Sequence, residues 1–426
     1  MKQVSPNTEA ILLLTAPLLV GKQIDTVKPL APREYRELAL ALVELGREPA
    51  DLMQDQELLN EIAQGVVAKR VVQLLNRGLQ LAQALDGWSQ RGIRVLSRAD
   101  SEYPALLKER LKGNAPSLLY CCGNLDLFNR GGLAVVGSRK VDENNDLVGY
   151  TDQVGAASAS EGISIISGGA RGADKISMLG SLKRGGFAVG VLSCKMKQDV
   201  VSKDYKPHLR ENRLLLCSVA DPSAGWNTGH AMQRNKYIYA LADHALIIAS
   251  ETKGGTWEGA TEQLKKFKCC PVLVNASVCP AAGNKKLLTL GAKPICLDFS
   301  KPVAKQFQEA AAVAALNEQA DFFKNPPEQR QGLVPKADQE KPALRVAEKQ
   351  PEESYSTASP AEKIEQALFP ILLVQLAEPT EPAKLQEITG LKKGQLDVWL
   401  KKMQEQGLIK KKNKPVRYVA LRHSAG

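Results

Sequence analysis

Two short stretches have the makings of anion-binding turns: "VVGSRK" (135–140) and "SGGARGAD" (167–174). Each follows a short β-branched run, and each brings positive charge onto a turn of small residues. Gly137, Gly168, Gly169 and Gly172 permit positive φ and close backbone approach, so successive N–H groups can point at one oxyanion. A helix starting at such a turn adds partial positive charge. Arg139, Lys140 and Arg171 add full charge, the arginines as a fork that suits phosphate oxygens. Ser138 fixes the first turn's geometry, and Asp174 either caps the following helix or orients an arginine. A third element, "HAMQRNKYIYALADHALIIAS" (230–250), offers Arg234, Asn235 and Lys236 to a phosphate or a base before an apolar helix. A fourth, "ETKGGTWEGATEQLKK" (251–266), repeats the strand–glycine–helix order, with Thr256 as a helix cap. Its Glu258 and Glu262, at i and i+4, read as a solvated face near a helix start rather than as catalytic carboxylates.

Other chemistries lack their residues. Neither turn matches GxGxxG and there is no Walker lysine, so dinucleotide and ATP sites have little support. The four histidines (208, 230, 244, 423) are scattered, without a nucleophile partner or a metal-ligand spacing. The eight cysteines include two adjacent pairs and no CxxC, which suits reduced thiols rather than a zinc ribbon or a disulfide framework. Neither a cofactor nor a metal is expected. The apolar stretch at 10–20 is too short to span a bilayer and lacks the flanks of a signal peptide, so a cytoplasmic protein without a membrane span is expected. The formal net charge of +11 favours a polyanionic partner through attraction and counterion release.

The elements that must hold these turns follow from apolar patterning. At roughly 150 residues per domain, 426 residues suggest two to four domains. Residues 1–110 carry helical spacing and read as a helical N-terminal domain. In 111–316, continuous apolar runs recur with helix-length segments between most of them: "LAVVG" (133–137), "ISIIS" (163–167), "FAVGVL" (187–192), "LLLCS" (214–218), "HALIIA" (244–249), "PVLVN" (271–275) and "PICL" (294–297). Such runs argue for a parallel sheet covered on both faces, a Rossmann-like doubly wound α/β domain. In that fold ligands sit at the carboxyl ends of strands, where both opening turns fall. Residues 317–358, rich in Pro, Gln, Glu and Lys, read as a disordered linker. Residues 359–426 give helix–turn–helix and then two short strands around "NKP", the winged-helix pattern. Between 392 and 417 nine Lys or Arg face two acids, enough to neutralise duplex phosphates, although such modules also bind proteins.

The order "AVVGSR … ISIISGGARGAD … FAVGVL … QRNKYIYALAD … KGGTWEGATEQLK" resembles the DNA-processing protein A family, also called Smf. The resemblance covers about 95–298 by motif and 360–421 by architecture. It implies a Rossmann-like domain that binds single-stranded DNA, self-associates as a dimer and loads a RecA-type recombinase during natural transformation, without enzymatic activity. Gly137, Ser138 and Arg139 match the family's G-S-R turn, Gly168 to Asp174 its phosphate loop, and Arg234, Asn235 and Lys236 its R-N-R segment. The family's aromatic and proline before R-N-R are replaced by "AMQ" (231–233), a commonly present histidine after the phosphate loop by "KISM" (175–178), and S-G-x-x-x-T by "KGGTWEG". These departures mark a divergent branch. Tyr205, Trp226 and Tyr237 are the aromatic residues available for stacking, and packing is expected to claim each of them. Two alternatives stay open. "KGGTWEG" is a partial echo of the P-G-G-x-G-T-x-x-E motif of phosphoribohydrolases, which suggests a nucleotide sensor or an N-glycosidase using Glu258. The C-terminal module alone would suit a DNA-binding regulator.

Overall fold

The computed structural model describes residues 4–19, 27–62 and 66–312. Beyond these it describes 369, 372–373, 376, 378–382, 384–385, 393–412 and 417–420. The linker expected at 317–358 and the "NKP" turn lie outside the described residues. The chain divides into two compact units, Met1–Val334 and Pro335–Gly426.

The first unit is built on one nine-stranded sheet: β1 (Arg94–Ser97), β2 (Leu118–Gly123), β3 (Leu133–Val136), β4 (Ile165–Ser167), β5 (Ala188–Leu192), β6 (Leu214–Ser218), β7 (His244–Ile247), β8 (Val272–Asn275) and β9 (Lys293–Ile295). Their spatial order is β1-β2-β6-β5-β4-β3-β7-β8-β9. The seven strands from β6 to β9 pair in parallel. The crossovers leave β3 in one direction towards β4, β5 and β6, and resume beyond it with β7, β8 and β9. That reversal between β3 and β7 is where doubly wound sheets bind ligands. Period-2 alternation splits the strand residues between two cores. Leu133, Val135, Leu214, Leu216 and Leu246 pack on one face. Ala134, Val136, Leu215, Cys217 and Ile247 pack on the other. With both faces covered, strands read as unbroken apolar runs.

β1 and β2 depart from an all-parallel sheet. β2 runs antiparallel to β6 (Tyr120 opposite Ser218), and β1 antiparallel to β2 (Val95 opposite Tyr120). The helices before β1 share this core. Ile11, Leu12 and Leu13 of the helix Pro6–Thr15, and Leu81 and Trp88 of Gly78–Ser89, join the cluster that holds Val95, Tyr120 and Leu133. Leu14, Leu38, Leu42, Leu52, Leu58 and Leu74 form a smaller core among the remaining helices. Ser5 caps Pro6–Thr15 by accepting the Thr8 N–H at 3.2 Å, with Pro6 in the first turn.

In the second unit Leu396, Leu400 and Met403 of the helix Lys393–Glu405 are buried against Phe369, Leu372, Leu376 and Leu385. Ile409–Lys412 and Arg417–Ala420 pair antiparallel, and Thr380 bridges to Tyr418. Among the described residues no helix is long and apolar enough to cross a membrane, and no cluster of metal-ligating side chains occurs.

Candidate functional site

The two glycine turns pack against each other at the carboxyl ends of β3 and β4. Ser138 N–H donates to Ala249 O beyond β7 at 2.8 Å, and the Ser138 hydroxyl accepts the Lys140 N–H at 3.2 Å. That cap starts a 3-10 turn over Arg139–Glu143. Gly172, at φ 90°, starts the helix Ala173–Leu182 and lies directly on this turn. A Cβ on Gly172 would come 2.6 Å from Ser138 O and 2.8 Å from Arg139 Cα, and one on Gly137 would come 2.7 Å from Ala173 Cβ. Only glycine permits both the positive φ at 172 and this approach.

A cleft of about 310 Å³ opens over the paired turns. Its wall includes Arg139, Lys140, Arg171, Cys194, Trp226 and Arg234, with Gly168 and Gly169 between them. The cations differ in how free they are. Arg139 is exposed and has no ion pair among the described residues. Arg171 is engaged: its Nε donates to Asp142 Oδ2 at 2.5 Å, its Nη2 to Asp142 Oδ1 at 3.3 Å, and Glu143 stands 3.8 Å away. This pairing raises the Arg171 guanidinium above its ordinary pKa and lowers the Asp142 carboxyl. Lys140 reaches Glu251 at 3.4 Å, a tie between the β3 and β7 loops.

Arg234 forms part of the floor. Its side chain is only 8% exposed. Nη1 donates to Val191 O at 2.7 Å, Nη2 lies 3.5 Å from Asp174 Oδ2, and Nε is buried without a partner. Burial presses the guanidinium pKa down, and Asp174 opposes it. Burial likewise presses the Asp174 carboxyl up, against Arg234 and the backbone N–H groups of Ala170 and Gly168. A guanidinium does not deprotonate in proteins, so Arg234 keeps its charge beside Asp174. Gly168 is glycine for the same reason: a methyl group there would overlap the Arg234 guanidinium. Asp174 therefore orients an arginine, and two loop N–H groups expected to face an anion face Asp174 instead.

The remaining expected residues serve elsewhere. Asn235 donates to Gly255 O at 2.9 Å and packs on Gly259, joining the helices Thr228–Leu241 and Gly255–Glu262. Lys236 is half-buried, 5.0 Å from the Tyr237 ring centroid, and is not part of the cleft wall. Thr256 lies inside its helix, whose N-cap is Gly254 without a side-chain bond, because the turn closes two residues earlier than Thr256 needs. Glu258 is exposed and outside the cleft wall, and Glu262 pairs with Lys266 at 3.1 Å. Tyr205 and Tyr237 are buried, as packing requires, but Trp226 is 57% exposed and borders the cleft. The acidic rim of Asp142, Glu143 and Asp199 has a signal in the sequence only in part. "RKVDEN" sets Asp142 and Glu143 three and four residues after Arg139, on one turn.

The family model described as DNA recombination-mediator protein A matches residues 94–305, the span that contains the sheet and the cleft. Over this span the chain is a divergent member of this family. It is 24% identical to the DNA processing protein DprA of Bacillus subtilis over 51% of this chain and 72% of that one. It is 28% identical to a putative DNA processing protein DprA of Mycobacterium tuberculosis over 58% of this chain and 64% of that one. The solved DNA processing protein A of Streptococcus pneumoniae shares the fold with a TM-score of 0.50 at 20% identity, covering 69% of this chain and 95% of that one. The site residues of this DNA-processing protein A domain thus sit on a sheet whose reversal point places the three glycine-bearing loops, after β4, β3 and β7, side by side.

Proposed function

We propose that this chain binds single-stranded DNA in the cleft above β3 and β4 and serves DNA processing as a recombination mediator without catalysing a reaction. The observation that carries the reading is Arg139, a cation without an ion pair among the described residues, on a turn locked against the phosphate-loop glycines, with Arg171 beside it. Phosphate contacts of this kind are largely sequence-independent and salt-sensitive. Arg139, Lys140 and Arg171 meet the backbone, Arg234, Asp174 and Gly168 hold the wall that presents them, and Asn235 braces the helix that carries Arg234. Gly137, Gly169, Gly172 and Ser138 shape the turns, and Lys236 contributes background charge. As the family resemblance implies, a RecA-type recombinase is the partner and the chain acts as a homodimer; the setting is cytoplasmic. The helix Lys393–Glu405 with the hairpin after it serves as a winged helix, and the nine Lys or Arg against two acids between 392 and 417 suit duplex phosphates. An N-glycosidase would need a carboxylate at the sugar, and Glu258 stands outside the cleft.

The test is binding of the full chain to a labelled single strand and to the same duplex across a salt series, with mononucleotides as competitors. Single-strand preference with a steep salt slope, unmoved by nucleotides, is expected. Weak strand binding displaced by a mononucleotide would overturn the reading in favour of a nucleotide site.

A further inference from the structure

Trp226 is the aromatic residue of the cleft wall, and the phosphate contacts leave its chemistry unused. At 57% exposure it is the most open of the tryptophans in the first unit: Trp88 is 1% exposed and Trp257 packs partly against the core. Large aromatic side chains are ordinarily well covered, so an indole held open at a functional wall asks for a partner. The loop that carries it is pinned on both sides. Buried Asp221 accepts the Ser223 N–H at 2.7 Å and the Leu19 N–H at 3.2 Å. Ala224 O accepts the Lys195 N–H at 3.0 Å, and Pro222 O the Lys197 N–H at 3.1 Å. On the far side Asn227 caps the helix Thr228–Leu241 by accepting the His230 N–H at 3.2 Å. Trp226 is therefore presented at the cleft by fixed neighbours.

The same wall holds Arg139, Lys140 and Arg171. A ligand that meets an indole face and these cations together pairs a flat π-system with phosphates, as a nucleotide of a strand does. We propose that Trp226 is the base-stacking and strand-selecting residue of this cleft: one unpaired base lies on its indole while the neighbouring phosphates meet Arg139 and Arg171. This deepens the single-strand reading and rests on it. A base held in a duplex has no free face to offer, so stacking here selects single strands in a way that phosphate contacts do not.

The test measures binding of the full chain and of its Trp226→Ala, Trp226→Phe and Arg139→Ala variants. Each is titrated with a labelled single-stranded oligonucleotide and with an abasic strand of the same length. Trp226→Ala is expected to bind the base-bearing strand roughly 5- to 100-fold more weakly, and the abasic strand within about twofold of the parent, with an unchanged salt slope. Trp226→Phe retains most of the affinity. The parent's tryptophan fluorescence is quenched by the base-bearing strand, and Trp226→Phe loses that quenching. Four results overturn the proposal. If Trp226→Ala matches the parent on both strands while Arg139→Ala weakens both, the phosphate cleft stands and Trp226 is no platform. If Trp226→Ala loses both strands equally, its role is structural. If it changes the oligomeric state and leaves strand binding intact, the indole docks protein. If neither variant alters binding, the single-strand reading of the cleft itself fails.

Discussion

The cations of the cleft divide into free and engaged residues, and their substitutions should divide likewise. Arg139 has no ion pair to break among the described residues, so Arg139→Ala should cost single-strand binding about 1–3 kcal/mol, the range of a charge-assisted bond. Arg171 must leave Asp142 and Glu143 before it meets a phosphate. Arg171→Ala should therefore cost less than Arg139→Ala, and Asp142→Asn should tighten strand binding severalfold by freeing the fork and removing a repelling charge. Fluorescence anisotropy at one salt concentration ranks the three variants, and equal losses for both arginines would remove the distinction. Arg234 and Asp174 belong to a different class. They are buried together, so removing either leaves the other uncompensated, and Arg234→Ala or Asp174→Ala should cost folding about 3–5 kcal/mol. Urea melts read this directly, and a loss of DNA binding at full stability would instead make Arg234 a contact residue.

At the scale of elements, one carboxylate couples the first helix to the sheet. Asp100 accepts Ser97 N–H at 2.6 Å, the Thr8 hydroxyl at 2.6 Å and the Ser5 hydroxyl at 2.7 Å, so it ties the start of Pro6–Thr15 to the end of β1. Burial pushes this carboxyl up, but the three donors outweigh it and hold its pKa below the ordinary 3.8. A depressed folded-state value means stability that is present above the ordinary aspartate range and lost as pH falls through the lowered value. Asp100→Ala should cost about 1 kcal/mol at neutral pH, the low end for such bonds because the group is partly exposed, and the variant should differ less from the parent at about pH 3. Urea midpoints at the two pH values check it, and a pH-independent difference would contradict it. The same level shows how far the sequence can be read. The seven parallel strands are legible because burial on both faces leaves continuous apolar runs in the chain. The antiparallel direction of β2 is not, because "SLLYCCG" would look the same in either direction and only its pairing with β6 decides. The two turns are legible because glycine and arginine have few other reasons to recur at strand ends. The fate of Arg234 is not, since its burial depends on Asp174, sixty positions earlier in the chain. Trp226 is missed for the same reason: an isolated tryptophan defaults to packing, and its exposure follows from how its loop is pinned.

Over the whole chain the question is which parts are separable. Residues before 90 are not: Ile11, Leu12, Leu13, Leu81 and Trp88 complete the core that Val95, Tyr120 and Leu133 line, with Trp88 and Tyr120 in edge contact at 5.0 Å. A chain lacking 1–90 should expose that face and aggregate, which sedimentation would show, whereas a monomeric fragment with a cooperative melt would refute the shared core. The C-terminal module has its own core of Phe369, Leu372, Leu376, Leu396, Leu400 and Met403, so its removal should leave the first unit intact. Deleting 359–426 should then spare most single-strand binding, because Arg139, Lys140, Arg171 and Trp226 all remain. It should also lower duplex affinity and flatten the duplex salt slope, because each lysine or arginine lost from a phosphate removes about one unit of that slope. The two slopes separate the two surfaces without any cleft substitution. A deletion that abolished single-strand binding would move the site into the C-terminal module and reduce the paired turns to ordinary βα connections with solvated arginines.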